Sequence, residues 1–119
     1  MKALFIPADG HCLVVSGDWN SLPALYGQLD CTTVERVLVT PSPDGPRLLM
    51  WVDEEGKYGP RPLNQLATEL VSDRLDPQDW IAGPALITGE SDLGECDALS
   101  TLEILRLGAR LVRGERARS

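Results

Sequence analysis

The stretch Leu48-Leu49-Met50-Trp51-Val52-Asp53-Glu54-Glu55-Gly56-Lys57 decides how this 119-residue chain is read. An apolar run goes straight into a compact acidic turn closed by a glycine and a lysine. Such a run, ended by turn residues, reads as a strand entering a turn. Upstream, residues 32–40 are rich in Val and Thr and read as a second strand. The intervening Pro41-Ser42-Pro43-Asp44-Gly45-Pro46 is a loop, so the two strands are expected to pair antiparallel. Downstream, Pro60 and Pro62 lack amide hydrogens, which keeps residues 57–62 out of a central strand. Leu63, Leu66, Ala67, Leu70 and Val71 then recur at helical spacing and predict a helix, which Asp76-Pro77 stops. Asn64 and Thr68 lie off its apolar stripe.

The same reading extends to both ends. Ala3 to Ile6 and Cys12 to Val15 are apolar runs around Asp9-Gly10, the pattern of a hairpin whose turn positions tolerate positive φ. Leu22, Leu25, Tyr26 and Leu29 predict a short helix, with Ser21 placed to cap it and Pro23 tolerated in its first turn. Trp80 to Ile87 reads as a strand kinked at Gly83, followed by an acidic loop over 90–97. Ser100-Thr101-Leu102-Glu103 is a capping box that opens a third helix, in which Arg106, Arg110 and Arg113 form a basic stripe. The order β-β-α-β-β-α-β-α predicts a single α+β domain over residues 1–105. Its sheet is expected to be small, antiparallel or mixed, of about five strands with two to three helices packed on one face. Residues 106–119 form the Arg-rich end of the last helix and a tail.

Composition narrows the function. The net charge is −7, yet from Arg106 onward five Arg face one Glu, a local +4, which leaves −11 on residues 1–105. An acidic body repels phosphate backbones, so nucleic-acid binding is not expected of it. The basic tail suits an acidic partner, a nucleic acid or a second copy, or is simply a solvated chain end. Three widely spaced cysteines, Cys12, Cys31 and Cys96, make no disulfide framework. Reduced thiols and the lack of any long apolar run point to a cytoplasmic protein without a membrane segment.

No catalytic or metal-binding pattern stands out. His11 and Cys12 are adjacent and, on a strand, would point to opposite faces, so we expect no metal and no cofactor. In that reading Cys12 and Cys31 are small core residues and His11 sits exposed beside the turn. The single histidine lacks a nucleophile motif around it, and the acids of 53–55 and 90–97 lie in turns, where solvated carboxylates normally sit. Among the tryptophans, Trp19 in Gly17-Asp18-Trp19-Asn20 is expected to be exposed, and Trp51 and Trp80 to be core.

One resemblance adds context. Leu4-Phe5-Ile6-Pro7-Ala8-Asp9-Gly10, then Val52 to Lys57, then a helix with Asn64, Ala67 and Thr68, then Ile81-Ala82-Gly83-Pro84-Ala85-Leu86-Ile87-Thr88-Gly89 follow one another in a recognisable order. In that order and spacing they resemble the domain-of-unknown-function family DUF3846, small proteins of phages and mobile elements, over residues 3–105. The resemblance implies a phage accessory protein, acting in the cytoplasm of the bacterial host and dispensable for particle assembly. It also marks Asp53, Gly56, Asn64, Gly83 and Gly89. Each has a structural reading too, as a turn former, helix cap or tight backbone position.

Together these readings predict a non-enzymatic protein that binds and modulates a host protein. An apolar patch around Trp19 would favour that expectation. The alternative is a small-molecule binder for a nucleotide-like signal, which a pocket with Asp53, Asn64 and Trp51 converging would favour. An enzyme relying on Asp53 or Glu55 is third. A homodimer in which the stripe of Arg106, Arg110 and Arg113 meets the acidic surface of a second copy is a further expectation.

Overall fold

The computed structural model describes residues 1–39, 47–91, 95–100, 103–104 and 106–107. Its strands are β1 (Lys2–Ile6), β2 (Leu13–Ser16), β3 (Val34–Val39), β4 (Leu48–Asp53), β5 (Ala85–Glu90) and β6 (Cys96–Asp97), and its helices are α1 (Leu22–Leu29) and α2 (Gln65–Leu70). The sheet runs β2-β1-β5-β4-β3, with β6 paired to the far end of β5. Every pairing is antiparallel. The expected α+β class and both expected strand pairs are therefore present, and the sheet has six strands rather than five. The extra one, β6, lies in the stretch read as an acidic loop. The 40–46 loop, which joins the second strand pair, lies outside the described residues.

The expectation that the helices share one face does not match the packing. Leu4, Ile6, Met50, Val52, Ala85 and Ile87 form one core with Ala67 and Leu70 of α2 and with Leu107. Ala3, Leu86 and Cys96 form another with Leu25 and Leu29 of α1, joined by Phe5 and Trp51. Neighbouring strand residues thus alternate between two buried layers, as the two-residue repeat of a strand requires. The physical reason lies in β4 and β5: nearly all of Leu48–Val52 and Ala85–Gly89 is buried. Runs that are apolar without alternation belong to strands covered on both faces.

Local signals explain most boundaries. Gly10 adopts φ +94° in the β1–β2 turn. At the start of α1, Ser21 makes no side-chain cap bond, and the helix ends on Asp30 in the left-handed region. At the start of α2, Asn64 is the cap, its side chain accepting from the Ala67 amide. Leu63 is therefore outside the helix; it bridges Ala82 and is exposed. The capping box is formed as expected: Ser100 Oγ accepts from the Glu103 amide at 3.1 Å and Glu103 Oε1 accepts from the Ser100 amide at 3.2 Å. Residues 103–104 and 106–107 are helical. Among the described residues, no helix is long and apolar enough to cross a membrane.

Candidate functional site

Asp53 ends β4, where the backbone must turn. Its Oδ1 accepts from the Glu55 amide at 3.0 Å, and its Oδ2 lies 2.9 Å from Arg61 Nε. Arg61 also donates to the Asp30 carbonyl at the end of α1. Its aliphatic stem lies over Gly83, where a Cβ would come within 2.7 Å of Arg61 Cδ. Asp53 and Arg61 are both largely shielded from solvent. The pair therefore clamps the end of α1, the β4 turn and the Gly83 kink together.

Asn64 is buried, with 1% of its surface exposed. Its Nδ2 donates to Ile6 O at 2.8 Å and to Gly83 O at 2.9 Å, and its Oδ1 accepts from Ala67 N at 3.1 Å. These bonds use both amide hydrogens and one oxygen lone pair. Trp51 lies on the α1 face, half-buried, its Nε1 donating to Thr88 Oγ1 at 3.1 Å under the Arg36 guanidinium. The depression that Asp53 lines includes neither Asn64 nor Trp51.

The exposure expected of Trp19 is reversed. Trp19 is buried, 3% exposed, and donates from Nε1 to Met1 O at 2.9 Å. It packs in the α1-side core, where the space beside Gly17 is filled by its ring. Trp80, expected in the core, is instead 43% exposed. It precedes β5 rather than opening it, because the kink at Gly83-Pro84 delays the regular strand to Ala85. Cys12 is likewise exposed rather than core, while Cys31 is half-buried and Cys96 buried. Burial raises the thiol pKa of Cys96. His11 is exposed and sits 3.0 Å from Asp9, as expected beside the turn. Of the basic stripe, Arg106 is exposed and helical, while Arg110 and Arg113 lie outside the described residues. No group of three or more metal-ligating side chains gathers among the described residues.

What the structure does assemble is a solvent-facing surface around the 3-10 turn Gly56–Tyr58 and residues 76–80. Lys57 and Asp79 form an ion pair there, and Lys57 Nζ lies 5.7 Å from the Trp80 ring centroid. The hydrogen bond from Lys57 holds the Asp79 carboxyl below its ordinary range, and the same bond raises Lys57. Tyr58 is 81% exposed. A broad open depression runs over Lys57, Tyr58 and Asp76 to Trp80. A tighter one of about 60 Å³ lies beside it, lined by Val37, Val52 and Ile81 and by four acids, Glu35, Asp53, Glu54 and Asp79, with Lys57 the one base among them. Tyr58 and Trp80 are the residues that sequence reasoning missed. For Tyr58 the available signal was its setting, a segment punctuated by Gly56, Gly59, Pro60 and Pro62 that offers no regular face; Trp80 opens an apolar run and carried no such signal.

The comparisons with known proteins give a family and nothing beyond it. The sequence matches the family described as domain of unknown function (DUF3846) over residues 1–111. The chain belongs to this family. No curated protein and no solved structure is detectably similar to it. Among the residues that the family resemblance marks, Asp53, Gly56, Asn64 and Gly83 of this DUF3846 chain converge on one junction. Gly56 is packed so tightly there that a Cβ would sit 2.6 Å from the Ala82 carbonyl oxygen. Gly89 instead faces β6.

Proposed function

We propose that this DUF3846 protein is a non-enzymatic binding protein that docks a polypeptide through the surface around Tyr58 and Trp80. In the phage setting that the family resemblance implies, the partner is a cytoplasmic protein of the bacterial host, whose activity is modulated by the contact. The single observation that carries this reading is the pair of exposed aromatics beside an acid-lined depression. Tyr and Trp are the side chains most over-represented among residues that dominate binding energy. The junction of Asp53, Arg61 and Asn64 supports the surface from below rather than receiving a ligand, since its polar groups are engaged with one another and with backbone.

The geometry favours this over a nucleotide-like ligand held beside Asp53. The depression there, about 60 Å³, accommodates a few waters, whereas small-molecule pockets run from about 300 to 1,000 Å³; the adjoining depression over Lys57, Tyr58 and Trp80, about 680 Å³, is of that size but lies open to solvent and does not reach Asp53.

The test is capture from a bacterial host lysate with a photo-cross-linking side chain at position 78, which lines the same depression, followed by the same capture with Tyr58→Ala/Trp80→Ala added. A polypeptide held by the parent and weakened about 30-fold or more by the double substitution, with unchanged circular dichroism, is expected. Equal retention by both proteins, or a bound small molecule in place of a polypeptide, would overturn the proposal.

A further inference from the structure

The two edges of the sheet are unlike. The β3 edge carries Glu35 and Arg36, exposed charges of the kind that guard an edge against pairing. The β2 edge, Leu13-Val14-Val15-Ser16, carries no charge and no proline. Leu13 and Val14 are each about half exposed, at 52% and 53%.

The register shows which backbone groups of β2 are free. Gly17 N donates to Met1 O at 3.2 Å and Met1 N donates to Gly17 O at 2.9 Å, so Met1 and Gly17 are a hydrogen-bonded pair. Bonded and non-bonded pairs alternate along an antiparallel ladder. Ala3–Val15 and Phe5–Leu13 are therefore bonded, while Lys2–Ser16 and Leu4–Val14 are not. It follows that Leu13 and Val15 turn their N–H and C=O groups toward β1, and Val14 and Ser16 turn theirs outward. Neither Val14 nor Ser16 has another backbone partner among the described residues.

We propose that this edge pairs with the same edge of a second copy, antiparallel about Val14, joining two sheets into one. The pairing is self-complementary. Val14 of each copy donates to and accepts from Val14 of the other, with Ser16 reaching toward residue 12 across the two-fold axis. Leu13 comes beside Val15 of the other copy, covering exposed apolar surface on both. Charge is compatible with a second copy at this edge, which carries none of its own. Two chains of net charge −7 repel, and pairing through the neutral β2 edge sets no like charges opposite one another. This contact is distinct from the salt-bridged dimer that the Arg-rich helix suggested, and it is independent of the Tyr58–Trp80 surface.

Sedimentation equilibrium on the full chain, with hydrogen exchange at low and high concentration, tests it. Five paired residues from each copy make a small interface, so a dimer forming on the order of 10 µM or above is expected. Raising sodium chloride from 50 to 500 mM should leave it intact, because no ion pair holds it. On dimerisation the amides of Val14 and Ser16 should slow about tenfold, while those of Leu13 and Val15, already bonded to β1, should not change. Val14→Pro removes one outward donor, which an edge strand tolerates, and should abolish the dimer; Val14→Lys should do the same should the proline variant fail to fold. A monomer at every concentration would overturn the proposal and leave the edge to an extended segment of another protein. So would a dimer that dissolves in salt, or one that Val14→Lys leaves intact.

Discussion

Asn64 illustrates how much one buried amide can hold. It caps α2, ties the end of β1 through Ile6 O, and fixes the Gly83 kink through Gly83 O. Removing it leaves a helix amide and two carbonyls short of a partner inside the protein. A lost cap costs about 1 kcal/mol, and a buried unsatisfied group about 1–3 kcal/mol. Asn64→Ala should therefore lower the unfolding free energy by about 3 kcal/mol, read as a shift in urea midpoint at constant slope. Asn64→Asp should recover little, because it restores the cap acceptor while setting an oxygen against two carbonyl oxygens. A near-neutral Asn64→Ala would mean that these bonds do not hold the junction together. Gly83 sits beside it at φ +80°, under the Arg61 stem. Gly83→Ala must strain the backbone and displace Arg61 from Asp53, so it should destabilise by about 1–3 kcal/mol. Gly27, with open space around it, is the internal control: Gly27→Ala within α1 should stabilise by a few tenths to about 1 kcal/mol in the same assay.

At the scale of elements, what could be read from the residues depended on whether the signal was local. The hairpin of β1 and β2, the strands β3 and β4, and the Ser100 cap all rest on neighbours in sequence, and all are present. The two-sided burial of the sheet depends on which helix crosses which face, and no local spacing carries that. Trp19 and Trp80 were misplaced for related reasons. A polar loop can still fold its tryptophan inward when a backbone carbonyl, here Met1 O, receives the indole N–H. An apolar run can start outside its strand when a glycine with positive φ interrupts it. The Lys57–Asp79 pair in front of Trp80 supplies a prediction that needs no partner. Asp79 is held below its ordinary pKa, so the pair persists above the ordinary carboxylate range and is lost as pH falls through the lowered value. Lys57 is raised, so at high pH the pair outlasts the ordinary lysine range. In acid titration the Trp80 indole NMR signal should shift with a midpoint below that of an unpaired Asp. Asp79→Asn should already show the low-pH position at neutral pH. A midpoint in the ordinary Asp range would mean that the pair does not form in solution.

At the scale of the molecule, the described residues form two cores with one sheet between them, and this arrangement decides how the protein should unfold. Leu29 of α1 and Leu70 of α2 are both buried, on opposite faces. Yet the strands that carry the two layers are the same. In β5, Leu86 faces one core while Ala85 and Ile87 face the other, and β1 alternates likewise through Ala3, Leu4 and Ile6. A layer cannot detach without exposing one face of strands that the other layer still needs in register. Loss of either core should therefore propagate through β5, giving a single cooperative transition as in most domains of this size. Leu29→Ala and Leu70→Ala should each cost about 2–5 kcal/mol, through lost burial and a residual cavity. Fluorescence in a Trp51→Phe/Trp80→Phe background, which leaves Trp19 in the α1-side core as the single tryptophan, and far-ultraviolet circular dichroism, which reports the sheet and both helices, should give coincident urea curves with and without either leucine substitution. The discriminating result is Leu29→Ala. If Trp19 emission moved at lower urea than the dichroism, the α1 layer would be a separable cover, and the sheet with α2 would be stable without it. If the curves stay superimposed, the two-faced sheet holds both cores in one cooperative unit, and the Tyr58–Trp80 surface stands on a scaffold as rigid as the strands beneath it.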